Sequence, residues 1–380
     1  MNSQGQQDPP HFERILVRVC NSKLGDLLMA TPTLEGIRRR HPEAQITLLL
    51  PLPSPGEWIE RHPLVDAILW EQPKGKKQDT RETLRLLRAL RQGRFDAAID
   101  LRLRSRYAWL YWLARIPLRS ASSDKYYVPL LTHNIPYNFE VPDRHEVEFN
   151  YGIAAPLGLD GSPGEMILPV SAPDEAEAHR LLTAGGLGPE SGFLVLNPTY
   201  GGSSRLWPPE RFAEAACSIA RAAGLRIVLI GGPAPGEANG DIMQMLPPST
   251  VDLRGKTSIP VLAALLKRAA LHLSIDTGTS HLAAAMQTPC VTVFTFFEYW
   301  EQRIRWQPWH TALRTVGPQI RCASCPVPQQ ICKRTEATCV DSISVQQVVQ
   351  AALELLESAG PSVCLQTTDS VLPIIQMSRA

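Results

Sequence analysis

Short β-branched or leucine-rich runs alternate with longer amphipathic stretches along nearly all of this chain of 380 residues. That alternation predicts parallel sheets with crossover helices, because adjacent parallel strands cannot be joined by a tight turn. Strands are expected at Ile15 to Val19, Gln45 to Leu50, Ala67 to Trp70 and Ala97 to Leu101, with helices over Leu27 to Arg40, Thr80 to Arg91 and Tyr107 to Ala114. The period lapses between Gly158 and Pro173 and then restarts, with strands at Phe193 to Leu196, Arg226 to Ile230, Val251 to Leu253, Leu271 to Ile275 and Val291 to Phe294. The length suits two domains, at about 100 to 200 residues each. The sequence therefore reads as α/β, with Rossmann-like domains over residues 12–165 and 174–343. An amphipathic helix follows within 344–358, and an aperiodic tail over 360–380 is expected to be mobile.

A formal net charge of +1, with 44% hydrophobic and 20% charged residues, argues against global disorder and against generic nucleic-acid binding. The first dozen residues lack the basic segment and apolar core of a secretory signal, and no run is long and apolar enough to span a bilayer, so the expected location is the cytoplasm. In a reducing compartment the eight cysteines are more naturally thiols or metal ligands than disulfides. Cys322, Cys325, Cys332 and Cys339 lie within 18 residues and could wrap a structural zinc or iron, or remain free thiols.

The G-x-x-x-x-G-K-[ST] phosphate loop is absent, and the Gly186-Leu187-Gly188 run precedes a strand where a dinucleotide fingerprint must follow one. Three polar turns from strand to helix stand out instead. In the first, Gly25 permits a tight backbone and Asp26 stands near the head of a helix, at the sheet edge where open α/β folds bind ligands; Asp26 is either a functional carboxylate or a helix N-cap. In the second, Thr199, Gly201, Gly202, Ser203 and Arg205 suit a diphosphate, since small residues let backbone N–H groups approach and arginine offers a forked cation; a plain surface loop before Pro208 is the alternative. In the third, Asp276, Thr277, Gly278, Thr279, Ser280 and His281 lead a buried strand into an alanine-rich helix, whose N-terminus is an anion site; otherwise Thr279 or Ser280 simply caps it and His281 is a satisfied polar group. Glu237, a few residues after Gly231-Gly232-Pro233, could accept a ribose diol.

Taken together these segments resemble glycosyltransferase family 9, the lipopolysaccharide heptosyltransferases and their relatives. The resemblance rests on Ser22-Lys23-Leu24-Gly25-Asp26 with Thr31-Pro32-Thr33-Leu34, on Trp207 to Phe212, on Gly231 to Pro233, on Gly255-Lys256-Thr257-Ser258, and on Asp276 to Ala284, all in family order. It implies the GT-B architecture of two facing Rossmann-like domains, with the acceptor mostly on the first and the nucleotide-sugar on the second, and a final helix crossing back to the first. It also implies an inverting transferase without a catalytic metal, Asp26 as base, Thr257 on the donor side, and Lys23 and Arg106 on the acceptor side. Heptose from ADP-heptose onto a lipopolysaccharide core or related glycan is the expected reaction. Two departures leave room for another nucleotide-sugar or a non-catalytic binder: Arg205 stands where relatives carry lysine, and Thr295 to Trp300 replaces a G-P-T-x-P loop.

Between residues 80 and 119 arginines far outnumber acids, and Trp109, Tyr111 and Trp112 lie among them. Such a face suits peripheral contact with an anionic inner membrane and a phosphorylated glycolipid, or is an ordinary solvated surface.

Overall fold

The computed structural model describes residues 11–19, 21–53, 56–72, 80–102, 104–123, 125, 127–136, 144–198, 207–232, 242–321 and 339–359. The first half runs β1 (Arg14–Arg18), α1 (Leu24–Arg40), β2 (Gln45–Pro51), α2 (Glu57–Glu60), β3 (Ala67–Glu71), α3 (Thr80–Gly93), β4 (Ala97–Asp100), α4 (Ser105–Leu113), β5 (Leu118–Ala121), β6 (His133–Asn134) and α5 (Glu146–Ala154). The second runs α6 (Ala172–Ala184), β7 (Phe193–Asn197), α7 (Pro209–Ala223), β8 (Arg226–Leu229), α8 (Ile242–Met245), β9 (Val251–Asp252), α9 (Ile259–Lys267), β10 (Leu271–Ile275), α10 (Gly278–Ala285), β11 (Cys290–Val293), α11 (Phe297–Glu301), α12 (Arg303–Trp306), β12 (Leu313–Val316) and α13 (Val345–Ala359).

Each half builds a six-stranded sheet, in the orders β3-β2-β1-β4-β5-β6 and β9-β8-β7-β10-β11-β12. All the recorded strand pairings are parallel. Both sheets thus have the 3-2-1-4-5-6 order, with switch points between β1 and β4 and between β7 and β10.

Side-chain alternation explains why the strands read as continuous apolar runs: both faces are covered. Ile15 and Val17 of β1, with Phe193 and Val195 of β7, point into one apolar body between the sheets, shared by α1, α5, α9 and α10. Leu16 points outward beneath Leu86 and Leu90 of α3 and Tyr107 and Tyr111 of α4. Leu194 and Leu196 point outward beneath α7 and α13.

β5, β6 and β12 were not foreseen. β6 has two residues, and Arg119-Ser120 and Arg314-Thr315 break the apolar runs of the other two. The last helix, expected to cross back to the first half, packs on the second sheet. Val345, Val348, Ala352 and Leu355 of α13 lie in the outer core of the second sheet with Phe212 and Ile219, because that sheet's far face needs an apolar cover.

Candidate active site between the two sheets

At the first switch point the chain leaves β1 through Val19 and β4 through Leu101 and Arg102. These residues line a cleft with Asp26 and Met29 of α1 and with Glu146 and Asn150 of α5. Asp26 belongs to the first turn of α1; the N-cap position is held by Lys23, whose exposed side chain makes no capping bond. The capping alternative for Asp26 is thereby set aside. Its carboxylate is half-buried and has no hydrogen-bond partner among the described residues. Glu146, at the head of α5, accepts from Arg305 of α12, with Nε at 2.7 Å and Nη2 at 2.5 Å, and both side chains are buried. Burial pushes the Glu146 carboxyl up to about 8, Arg102 pulls it down and Asp26 pushes it further up. Burial also pulls Arg305 down to about 9. Contacts this short nevertheless favour the charged forms of both.

At the second switch point Asn197, ending β7, donates from Nδ2 to Thr279 Oγ1 at 2.8 Å. Thr277 is the N-cap of α10, so neither Thr279 nor Ser280 has that role. Its hydroxyl accepts from the Thr279 N–H at 3.3 Å, and the Ser280 hydroxyl accepts from the Thr277 N–H at 3.3 Å. His281 is buried and its Nδ1 has no hydrogen-bond partner, contrary to a satisfied polar group. Burial, with His145 adding to it, pushes the ring down to about 3, so its 3.9 Å approach to Asp276 is made by a neutral imidazole and is not an ion pair. Beside this turn, the Gly255 N–H donates to Gly231 O at 3.0 Å, placing half-buried Thr257 next to the end of β8.

The two switch points meet. A β-carbon added at Gly25 would lie 2.8 Å from His281 Cδ2, and one at Gly278 would lie 3.0 Å from Leu24 Cβ and 3.3 Å from Gly25 N. The heads of α1 and α10 therefore pack directly against each other, possible only because both contact positions lack side chains. The glycosyltransferase family 9 (heptosyltransferase) profile matches residues 83–335. The chain belongs to glycosyltransferase family 9.

This glycosyltransferase is 26% identical over 299 residues to lipopolysaccharide heptosyltransferase 3 of Escherichia coli, covering 75% of this chain and 83% of the relative. Its fold is similar to that of a family 9 glycosyltransferase from Veillonella parvula DSM 2008, with TM-score 0.73, 21% identity, and coverage of 92% of this chain and 99% of that one. It is also similar to E. coli ADP-heptose lps heptosyltransferase II, with TM-score 0.67, 21% identity, and coverage of 91% and 99%. The architecture is GT-B.

Of the remaining expected site residues of this family 9 enzyme, Thr199, Gly201, Gly202, Ser203, Arg205, Glu237, Cys322, Cys325 and Cys332 lie outside the described residues. Cys339 is buried, and its Sγ donates to Thr295 O at 3.8 Å, the contact of a thiol. Arg106 is held by Glu71 at 2.9 Å, while its Nε and Nη2 are buried without partners. It joins a charged network along the carboxyl edge of the first sheet. Tyr107 also donates to Glu71, the Arg18 guanidinium lies 3.6 Å from the Tyr107 ring, and Arg18 pairs with Asp100 at 2.9 Å, which also accepts from Tyr111 at 2.8 Å. Glu146, Asn150 and Arg305 were not anticipated. The one local signal was the acidic His145-Glu146-Val147-Glu148 run opening a helix.

Proposed function

We propose that this enzyme transfers heptose from ADP-heptose to a lipopolysaccharide core or related glycan, with inversion and without a catalytic metal, and that Asp26 is the base. The observation that carries this reading is the contact of the two helix heads, which brings Gly25, the neighbour of Asp26 in the chain, against Gly278 and His281 at the head of α10. An acceptor hydroxyl attacks the anomeric carbon while Asp26 takes its proton. The bond from that carbon to the diphosphate oxygen breaks, and the diphosphate leaves with the electron pair. N–H groups at the head of α10 and the hydroxyls around Thr277 stabilise that developing charge, a role worth about 3 to 4 kcal/mol per well-placed donor. A single displacement inverts the anomeric centre. The donor-facing set of Thr257, Asp276, Thr277, Gly278, Thr279, Ser280 and His281 is assigned to the second half, and Lys23 and Arg106 to the acceptor side.

The ADP-heptose name attached to one similar structure supports the donor, and the lipopolysaccharide heptosyltransferase relative supports the acceptor. The test is Asp26→Asn, which keeps shape but cannot accept a proton. Turnover should fall about 100- to 10,000-fold, as for loss of a general base, with ADP affinity within about twofold of wild type. Turnover within a few-fold of wild type would make Asp26 structural.

Membrane contact is assigned to the outer face of α3 and α4. Trp109, Trp112, Leu113 and Leu84 are exposed there, although large apolar side chains usually are not. Arg88, Arg91, Arg94, Arg104 and Arg115 are exposed around them. The acids of the stretch are otherwise engaged: Glu82 by Arg85, Asp100 by Arg18, and Asp96 by the N–H groups of Glu13 and Arg14. Among the described residues no helix is long and apolar enough to cross a membrane.

A further inference from the structure

Glu146 and Asn150 stand four positions apart on α5, so one face of that helix presents both, and both are buried. They line the cavity shared with Asp26, Met29 and Arg102, whose volume of about 10 Å³ is room for one water-sized group. Arg305 already engages Glu146. Asn150 is engaged on one side only: its Nδ2 donates to Met29 O at 3.4 Å, while its Oδ1 is buried and has no partner. We infer that Asn150 is a specificity-determining residue, whose amide oxygen accepts a hydrogen bond from a hydroxyl of the acceptor sugar other than the one that attacks. The inference rests on the reading of Asp26 as base in a glycosyl transfer.

Which way the amide faces is set by its neighbour. A main-chain carbonyl only accepts, so the amide nitrogen lies against Met29 O and the amide oxygen is the polar atom left over. Buried side-chain oxygens nearly always find a donor, and one without a donor in the protein marks a place for a bound group. The lining of the cavity selects that group. Asp26, Glu146 and Asn150 all present oxygen acceptors, so a phosphate or carboxylate, itself an acceptor, is disfavoured there. The charges also balance, Asp26 and Glu146 against Arg102 and Arg305, so the cavity attracts neither an anion nor a cation. A neutral O–H donor the size of one hydroxyl meets both conditions.

A count of protons makes that donor a second hydroxyl. The attacking hydroxyl has a single hydrogen, which passes to Asp26 as the new bond forms and is not free for Asn150. A neighbouring hydroxyl of the same sugar keeps its own hydrogen and can donate it. Asp26 and Met29 are three positions apart on α1 and share a face of that helix. The amide that receives the second hydroxyl is therefore anchored to the helix that carries the base. One sugar is then held at two points, and turning it to offer a different hydroxyl to Asp26 breaks the contact with Asn150. The consequence is a choice among the acceptor's hydroxyls.

The test is transfer by the full-length protein from ADP-heptose to de-acylated lipopolysaccharide core oligosaccharide and to its monodeoxy analogues, each lacking one hydroxyl of the sugar that is glycosylated. In wild type one analogue, other than the one without the attacking hydroxyl, should lose about tenfold in kcat/KM, the scale of one hydrogen bond. In Asn150→Leu, which keeps the side chain's size but has no acceptor atom, the intact oligosaccharide should lose about tenfold, and that analogue less than about twofold more. ADP affinity by calorimetry should stay within about twofold of wild type, because a packing fault between α5 and α1 would reach the head of α10 through Gly25. Asn150→Ala replaces Asn150→Leu if the leucine variant does not fold. Losses that simply add for every analogue, or a fall in ADP affinity that matches the fall in transfer, leave Asn150 a structural residue and overturn the inference. No transfer by wild type to the intact oligosaccharide overturns the reading of the acceptor, and the inference with it.

Discussion

Gly25 is the residue on which the two helix heads turn. An alanine there places its methyl 2.8 Å from Cδ2 of His281, a buried ring that cannot swing aside. Overpacking of this kind typically costs about 1 to 3 kcal/mol. Because the strain falls on the head of α10, Gly25→Ala should lose about tenfold or more in ADP affinity by calorimetry, the equivalent of about 1.4 kcal/mol. Unchanged ADP binding would show that the contact does not shape the anion site. Asp26 and Asp276 to His281 were legible in the sequence because a helix-head turn is a contiguous motif. Glu146 and Arg305 were not: they are 159 positions apart, and their pairing depends on how the halves meet, which no local period encodes.

At the scale of elements, α4 is tied to the sheet by charge as well as by apolar packing. Arg18 of β1 and Asp100 of β4 are almost fully buried, and Tyr111 of α4 completes the carboxylate's hydrogen bonds. Asp100→Asn leaves the guanidinium buried without its counter-ion and should cost about 3 to 5 kcal/mol. Tyr111→Phe removes one hydrogen bond to a charged group and should cost about 1.5 to 3 kcal/mol. Urea unfolding followed by circular dichroism separates the two; an Asp100→Asn protein as stable as wild type would remove the pair from the account of how α4 is held. The same region marks where the sequence was hard to read. β1, β2 and β4 announce themselves by apolar residues on both faces, whereas β5 and β6, at the sheet's edge, have too few apolar residues to set a period. α13 was recognised as an amphipathic helix, but its docking site was not, since an apolar stripe does not name its partner.

For the whole molecule, the exposed tryptophans and arginines of α3 and α4 lie on the half assigned to the acceptor, and they form the proposed contact with an anionic membrane. Full-length protein should sediment with vesicles containing phosphatidylglycerol and much less with pure phosphatidylcholine, and added salt should release it, because each arginine near an anionic surface contributes about 1 kcal/mol that is screened within a Debye length. Trp109→Ala with Trp112→Ala should abolish most of the binding. Equal sedimentation of wild type and the double variant would remove this face as the docking surface. The meeting of α1 and α10 has a consequence for how the halves cohere. Both helices present their N-terminal ends at the contact, so two positive poles face one another across the seam. The contact holds against this repulsion, and an anion at the head of α10, where the departing diphosphate is proposed to sit, would relieve it. Loss of the product anion from that head would therefore restore the repulsion across the seam.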